Sequence, residues 1–197
     1  MPPRRLSRDE ARSLVRLVIA KYVLGHNKPV SEVVLSQLLF LTLYTRAKGN
    51  GSLALLRRPR ARLPTRFILL GAPYLPIGRL LGRAGAGGVV KTNGGYSIQD
   101  PSMVFSESYN TLAQGGFKDL AGYAVWVVDE YGKHSEDYLI ELSTRVLGLG
   151  PLIRAMAFNM SLDAFLRARA GLRRVMESGG YVDEEELYPE LFRGSGS

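Results

Sequence analysis

Cysteine is absent from this 197-residue chain. Without thiols the chain forms no disulfides, binds no metal through thiolates and carries no cysteine nucleophile. Histidine is scarce as well, with two residues in total. His26 follows a predicted helix with no second ligand type near it, and a lone loop histidine is more often solvated than bound to metal. We therefore expect neither a cofactor nor a metal.

Long hydrophobic runs are also missing. The longest apolar stretch, Val33 to Tyr44, is interrupted by three polar residues and is too short to span a bilayer. The chain does not open with the basic, apolar and small-residue regions of a signal peptide. An apolar fraction of 46% is nevertheless enough to build a core. These features predict a cytoplasmic protein of ordinary domain size with no membrane partner.

The common nucleotide-binding glycine motifs are not present. No G-x-x-x-x-G-K-[ST] occurs in the chain. Glycines at 82, 85, 87 and 88 invite comparison with a phosphate-binding loop, but the last glycine of G-x-G-x-x-G is missing. The segment also leads toward a hairpin instead of a helix. This pattern is typical of a helix C-cap followed by a turn.

Acidic residues are scarce in one half of the chain only. Residues 1–99 carry 17 Lys and Arg against 3 Asp and Glu, a net charge of +14. Residues 100–197 carry 9 against 15, a net charge of −6. This asymmetry indicates a surface that binds a polyanion or a pairing of the two halves, and a solvated basic surface is the third interpretation.

The positive charge is densest in a run without acids, which we call the arginine run. It consists of Arg57, Arg58, Arg60, Arg62 and Arg66. A strand-like segment, 67–70, and a turn at 71–73 follow. A helix is then predicted over Ile77 to Ala86, with Arg79 and Arg83 on one face because they are four residues apart.

A β-hairpin is predicted directly after this helix. Residues 89–92 and 96–98 favour strands and flank Asn93-Gly94-Gly95, a turn whose central residues are expected at φ > 0. Lys91 lies on the first strand. A helix followed by a basic hairpin is typical of a winged helix-turn-helix.

Helices are predicted for most of the remaining chain. Ser7-Arg8-Asp9-Glu10 matches a capping box, and Ser31 caps a second helix that runs to about Lys48 and is apolar almost all round. A helical turn is expected over Leu53–Leu56. Later helices are predicted over 105–112, over 120–131, from Ser135 onward and over 152–176.

The predicted fold class is mainly α with a small β-hairpin, a winged helix-turn-helix-like core followed by C-terminal helices. The predicted domain covers residues 1–178. An acidic element, 179–193, follows it and is expected to dock on its own domain or on a second subunit, which would make a homodimer. Residues 194–197, Gly-Ser-Gly-Ser, are predicted to be a linker.

Several short motifs resemble the landmarks of one protein family. They are Leu35-Ser36-Gln37-Leu38-Leu39-Phe40, Gly71-Ala72-Pro73-Tyr74, Val89-Val90 and the segment 127–135, VVDEYGKHS. Over about residues 11–147 their order and spacing resemble the SocA-like (Panacea) antitoxin-domain family and the related YwgA-like proteins. The resemblance implies a helical domain with a winged-helix-like core that binds macromolecules and catalyses no reaction. Proteins of that family neutralise toxins or act as adaptors, and DNA-binding regulation is often inferred for them.

An enzymatic function is disfavoured by the arrangement of the acids. Asp129-Glu130 and Glu136-Asp137 are adjacent pairs, so the two members of each pair point to different sides of a helix. His134 and Asp137 resemble an acid–base couple, but no activated serine or metal-binding trio accompanies them. These residues are typical of a helix end and of the first turn of the next helix.

Three functional hypotheses follow from the sequence. The first is a nucleic-acid-binding regulator with duplex DNA as its favoured partner, and the second is a protein-interaction module of the antitoxin or adaptor type. The third is a binder of single-stranded DNA or RNA without sequence preference, in which Tyr74 and Tyr96 stack on bases. The predicted nucleic-acid contacts are Arg57, Arg58, Arg60, Arg62, Arg66, Arg79, Arg83 and Lys91.

Overall fold

The computed structural model describes residues 4–48, 52–56, 58–63, 66–67, 72–82, 86–150 and 157–177. This described part is mainly helical. Its helices are α1 Arg8–His26, α2 Glu32–Tyr44, α3 Ile77–Leu81, α4 Pro101–Gln114, α5 Lys118–Tyr131, α6 Glu136–Leu147 and α7 Leu162–Glu177. Its strands are β1 Thr45–Ala47, β2 Leu53–Leu55, β3 Arg66–Phe67, β4 Pro73–Tyr74, β5 Val89–Thr92 and β6 Gly95–Ile98. The strands form antiparallel pairs in chain order, β1 with β2, β3 with β4 and β5 with β6.

The chain divides into two compact units, residues 1–159 and residues 160–197. The sequence-based boundary after residue 178 lies inside the second unit. The acidic element 179–193 lies outside the described residues, as does the linker that follows it. Within the described ranges no helix combines the length and the apolar character needed to cross a membrane.

Side-chain caps set the beginnings of the first two helices. Ser7 accepts a hydrogen bond from the Glu10 amide, and Glu10 accepts one from the Ser7 amide at 2.7 Å, so the predicted capping box is confirmed. Ser31 accepts from the Val34 amide at the start of α2. A cap of this kind stabilises a helix by about 1 kcal/mol. His26, predicted to lie in a loop, is the last residue of α1.

Helix α2 is the buried centre of the first unit. Every side chain from Val34 to Tyr44 is buried, and α2 packs against α1, α5 and α6. The predicted end near Lys48 is wrong, because Thr45 pairs with Leu55 and begins β1. The helical turn predicted at 53–56 is wrong for the same reason. Pairing of β1 with β2 overrides the local helical preference of these segments.

Helix α3 is shorter than predicted. It ends at Leu81 instead of Ala86, and Gly82 follows it with a positive φ of 82°. Residues 83–85 lie outside the described residues, and a 3₁₀ turn at 86–88 leads into the hairpin. Upstream, the predicted strand at 67–70 is described only at Phe67, which pairs with Pro73.

The predicted hairpin is confirmed, but its turn differs from the prediction. Val89 pairs with Ile98 and Thr92 pairs with Gly95. Positive φ occurs at Gly95, 129°, and not at Asn93 or Gly94. A tight turn followed by a glycine at positive φ is a common local hairpin arrangement. Tyr96 also forms an antiparallel bridge with Val30, and a Cβ on Gly95 would press on the Val30 carbonyl.

Helices α4 and α5 pack against α1, and helices α5 and α6 pack against α2. α4 is longer than the predicted 105–112, because Asp100 caps it and Pro101 occupies its first turn. The predictions for α5 and for the Ser135 cap of α6 are confirmed. In the second unit, α7 begins at Leu162, and Ser161 accepts from the Ala164 amide at its start. Of the helix predicted over 152–176, residues 152–156 lie outside the described residues and 157–159 form a turn.

Candidate nucleic-acid interface

Two basic segments meet at a β-bridge between Arg5 and Arg62. The bridge is parallel and joins the N-terminal arm to the arginine run. Leu6 is buried, as are Ala61 and Leu63 on either side of Arg62. Because successive residues of an extended chain point to opposite sides, burial of these neighbours turns both arginines toward solvent, and both are exposed. We call Arg5 and Arg62 the bridge pair.

The bridge pairs two arginines through their backbones, so both basic side chains start from neighbouring positions. In the described part of the chain no carboxylate forms an ion pair with either arginine. Like charges on directly paired residues are destabilising. An anion bound across the pair would remove that repulsion, and a guanidinium group matches a phosphate with two parallel N–H donors.

Arg60, which lies between Arg58 and Arg62, has a different environment. Its guanidinium carbon lies 3.9 Å from the ring centroid of Tyr123 on α5, and its Nη2 donates to the Thr45 carbonyl at 3.3 Å. This guanidinium therefore already contacts an aromatic ring and a backbone carbonyl of the protein. Arg60 ties the arginine run to α5, whereas Arg58 and Arg62 are exposed.

The other predicted cations are spread over the first unit. Arg79 is exposed on α3, and Lys91 is exposed on β5 with its Nζ 5.6 Å from the Tyr96 ring centroid. Arg66 lies in β3 at the register position opposite Tyr74. Arg57 and Arg83 lie outside the described residues.

The bridge pair and Lys91 are near opposite ends of α1. Arg5 lies just before the helix, whereas the hairpin tip pairs with Val30, just after it. A 19-residue helix is roughly 28 Å long. The structure therefore does not assemble the predicted cations into one small site, and a ligand that contacts both regions must be long.

The two tyrosines predicted to stack on bases pack around Glu32 instead. The Tyr74 hydroxyl donates to Glu32 Oε1 at 2.5 Å, and this hydrogen bond, together with burial, raises the pKa of Tyr74 to about 12. Burial, with a contribution from Glu32, also raises the pKa of Tyr96. Tyr96 is only 4% exposed, so its ring has no open face for a base.

Arg5 is not among the nucleic-acid contacts predicted from the sequence. It belongs to a short basic arm, but nothing within a few residues of it indicates pairing with residue 62. Within the described ranges, no cluster of three or more His, Asp or Glu side chains is arranged to hold a metal ion. No protein-family model, curated protein or solved structure matches this chain. The resemblance to the SocA-like family therefore stays a prediction from its motifs.

Proposed function

We propose that this protein binds nucleic acid, with backbone phosphates contacting the exposed arginines of the N-terminal arm and the arginine run. The observation that carries the proposal is the bridge pair, two adjacent exposed arginines without an acidic partner among the described residues. Nucleic acids present closely spaced phosphates, so one strand can satisfy both guanidinium groups. The net charge of +14 over residues 1–99 adds long-range attraction.

Duplex DNA is the partner that the spacing of the cations favours. About eight base pairs cover the roughly 28 Å length of α1 that separates the bridge pair from the hairpin. In this arrangement the bridge pair holds one stretch of backbone and Lys91 contacts the groove edge or the backbone further along.

A winged helix-turn-helix role for α3 and the β5–β6 hairpin is part of the same proposal. Arg79 is exposed on α3, and Lys91 is exposed on the hairpin that follows it. α3 has five residues and is therefore about 7.5 Å long. Such a short helix reaches few base edges, so we expect phosphate contacts to dominate affinity and sequence preference to be modest.

The test is a salt-dependent binding titration with a duplex, a single strand and an RNA of the same sequence. The Arg5→Gln, Arg62→Gln double variant removes the bridge pair. Its matched control is Lys133→Gln, Arg145→Gln, which removes two exposed charges from the acidic half. Both variants lower the net charge by two, so only the position of the lost charge differs.

On duplex DNA the log–log salt slope should flatten by roughly 1.8 in the bridge-pair variant, about 0.9 for each lost phosphate contact. The control should keep the wild-type slope. An equal salt slope in both variants would show that the bridge pair does not contact the nucleic acid. If the wild-type protein bound none of the three nucleic acids at low salt, the proposal would fail and a protein-interaction module would be favoured.

A further inference from the structure

Three arginines form a row on α1. Arg8, Arg12 and Arg16 are spaced by four residues and therefore lie along one face of the helix. Gly82 and Gly87, between α3 and β5, lie against this row. An ideal Cβ on Gly82 would lie 3.1 Å from Nη2 of Arg12 and 3.9 Å from Nη2 of Arg8, and one on Gly87 would lie 2.6 Å from Cζ of Arg16.

The backbone conformation explains why glycine occupies position 87. Its φ is 60°, a region that favours glycine, and the guanidinium of Arg16 lies directly against it. The glycine backbone thus lies directly against a cation. The glycine spacing does not fit the known phosphate-binding motifs, so the sequence alone predicts no phosphate site here. The contacts of Gly82 and Gly87 with arginines of α1 become visible only in the structure.

A cleft of about 290 Å³ opens beside this contact. It is bordered by the first half of α1, the 3₁₀ turn before β5, and α4. Its lining residues are Asp9, Arg12, Ser13, Arg16, Gly87 and Thr111. The lining carries two guanidinium groups, two hydroxyls and one carboxylate, and the rest of its surface is apolar.

Each arginine of the cleft has a carboxylate partner, to which it donates one side-chain hydrogen bond. Arg16 lies 3.1 Å from Glu107, and Arg12 lies 3.5 Å from Asp9. The two carboxylates are mostly hydrated, with side-chain exposures of 54% and 85%. Such surface pairs are weak, and each guanidinium has five N–H donors.

The two arginines are themselves largely withdrawn from water. Their side chains are 29% exposed for Arg12 and 17% for Arg16. Both Nε atoms are buried and have no hydrogen-bond partner within the described residues. A partly desolvated cation interacts more strongly with an anion than a fully hydrated one, because the local dielectric constant is lower.

We propose that this cleft binds a small oxyanion of the phosphate class between the guanidinium groups of Arg12 and Arg16. One helical turn separates the two arginines, roughly 6 Å along the axis, so a tetrahedral anion can accept hydrogen bonds from both. The site is separate from the bridge pair and does not depend on the proposed nucleic-acid function. Its ligand is either free phosphate or the terminal phosphate of a larger molecule.

Calorimetric titration with inorganic phosphate, at constant ionic strength set with chloride, tests the site. Wild-type protein should bind phosphate saturably, and phosphate should raise its Tm while chloride alone should not. Arg12→Gln, Arg16→Gln should lose both effects. Arg145→Gln, on α6 far along the chain, is the control and should keep them. An equal Tm rise with chloride, or phosphate binding retained by the double variant, would overturn the proposal.

A variant that is expected to bind phosphate more tightly tests the site in a way that misfolding cannot imitate. Asp9→Asn removes the carboxylate that competes for Arg12, so phosphate should bind about two- to fivefold more tightly. Circular dichroism shows whether each variant is folded. Weaker or unchanged phosphate binding by folded Asp9→Asn would contradict the site.

Competition separates the two sources of phosphate. If the natural ligand is a nucleic-acid terminus, a 5′-phosphorylated oligonucleotide should compete with inorganic phosphate for the site, whereas its unphosphorylated twin should not. If neither strand competes while phosphate still binds, the site is assigned to a free phosphate. Because the bridge pair can attract phosphate as well, the titration is repeated in the Arg5→Gln, Arg62→Gln variant, in which the cleft should still bind phosphate. Failure of the nucleic-acid proposal and failure of this site are therefore distinguishable.

Discussion

The hydroxyl oxygen of Ser36 accepts a hydrogen bond from the backbone amide of Leu75 at 2.8 Å, deep inside the first unit. The neighbouring side chain of Gln37 donates to the Pro73 carbonyl at 2.9 Å. Two polar residues in a largely apolar helix thus hold the extended segment that leads into α3. They satisfy backbone groups that burial has removed from water.

Replacing Ser36 with alanine should therefore destabilise the protein. The Leu75 amide would stay buried without an acceptor, which lowers the free energy of unfolding by about 1–3 kcal/mol. Urea unfolding followed by circular dichroism measures the change. Ser106→Ala is the matched control, because Ser106 is exposed on α4 and bonds only to the Ser102 carbonyl within its own helix. A similar loss in both variants would show that the Ser36 contact is unimportant.

Arg60→Ala should affect stability more than nucleic-acid binding. The variant loses the guanidinium–Tyr123 contact and the bond to Thr45, and we expect about 0.5–2 kcal/mol less stability. Arg62→Ala should change stability by no more than about 0.5 kcal/mol, since Arg62 is exposed. In the salt titration the order should reverse, with the larger slope change in Arg62→Ala. The opposite result would mean that Arg60 leaves Tyr123 to bind phosphate.

Adjacent glycines in the hairpin should respond very differently to alanine. Gly95 has φ of 129°, and its Cβ would press on the Val30 carbonyl, so Gly95→Ala should cost at least about 1–3 kcal/mol from backbone strain. Gly94 lies outside the positive-φ region, and a Cβ added to it would lie 4.0 Å from Thr92 Oγ1. Gly94→Ala should therefore change stability by less than about 1 kcal/mol. Thermal unfolding of the two variants gives the comparison, and equal effects would argue against the Tyr96–Val30 bridge.

The Tyr74–Glu32 hydrogen bond should make stability depend on pH in the alkaline range. The bond raises the pKa of Tyr74 from 10.0 to about 12 in the folded protein. A raised folded pKa favours the protonated phenol, so its contribution to stability is complete below pH 10 and is lost as pH rises through about 12. Unfolding by urea at a series of pH values should show this decline.

Tyr74→Phe should make the alkaline decline shallower without removing it. Tyr96 and Tyr131 also have raised pKa values, chiefly through burial, and contribute in the same direction. Phenolate absorbance gives an independent readout, since one late-titrating tyrosine should disappear from the variant. An unchanged pH dependence would show that Glu32 does not hold the Tyr74 proton.

Much of the secondary structure was predictable because its signals are local. A serine cap acts on an amide three residues away, as at Ser7, Ser31 and Ser135. The two strands of the β5–β6 hairpin are separated only by Asn93 and Gly94. The uniformly apolar face of α2 likewise indicated a central, buried helix. In each case the interacting groups are close in sequence, so their spacing alone predicts the element.

Contacts between distant segments decided the rest. Arg5 pairs with Arg62, and Tyr96 pairs with Val30, which leaves no room for a Cβ at Gly95. The sequence alone established a strongly basic first half. The tertiary structure decided which arginines face water and which contact protein, because those environments depend on neighbours far away in the chain. It joined Arg5 to Arg62, stacked Arg60 on a ring of α5 and placed glycine backbone against the arginines of α1.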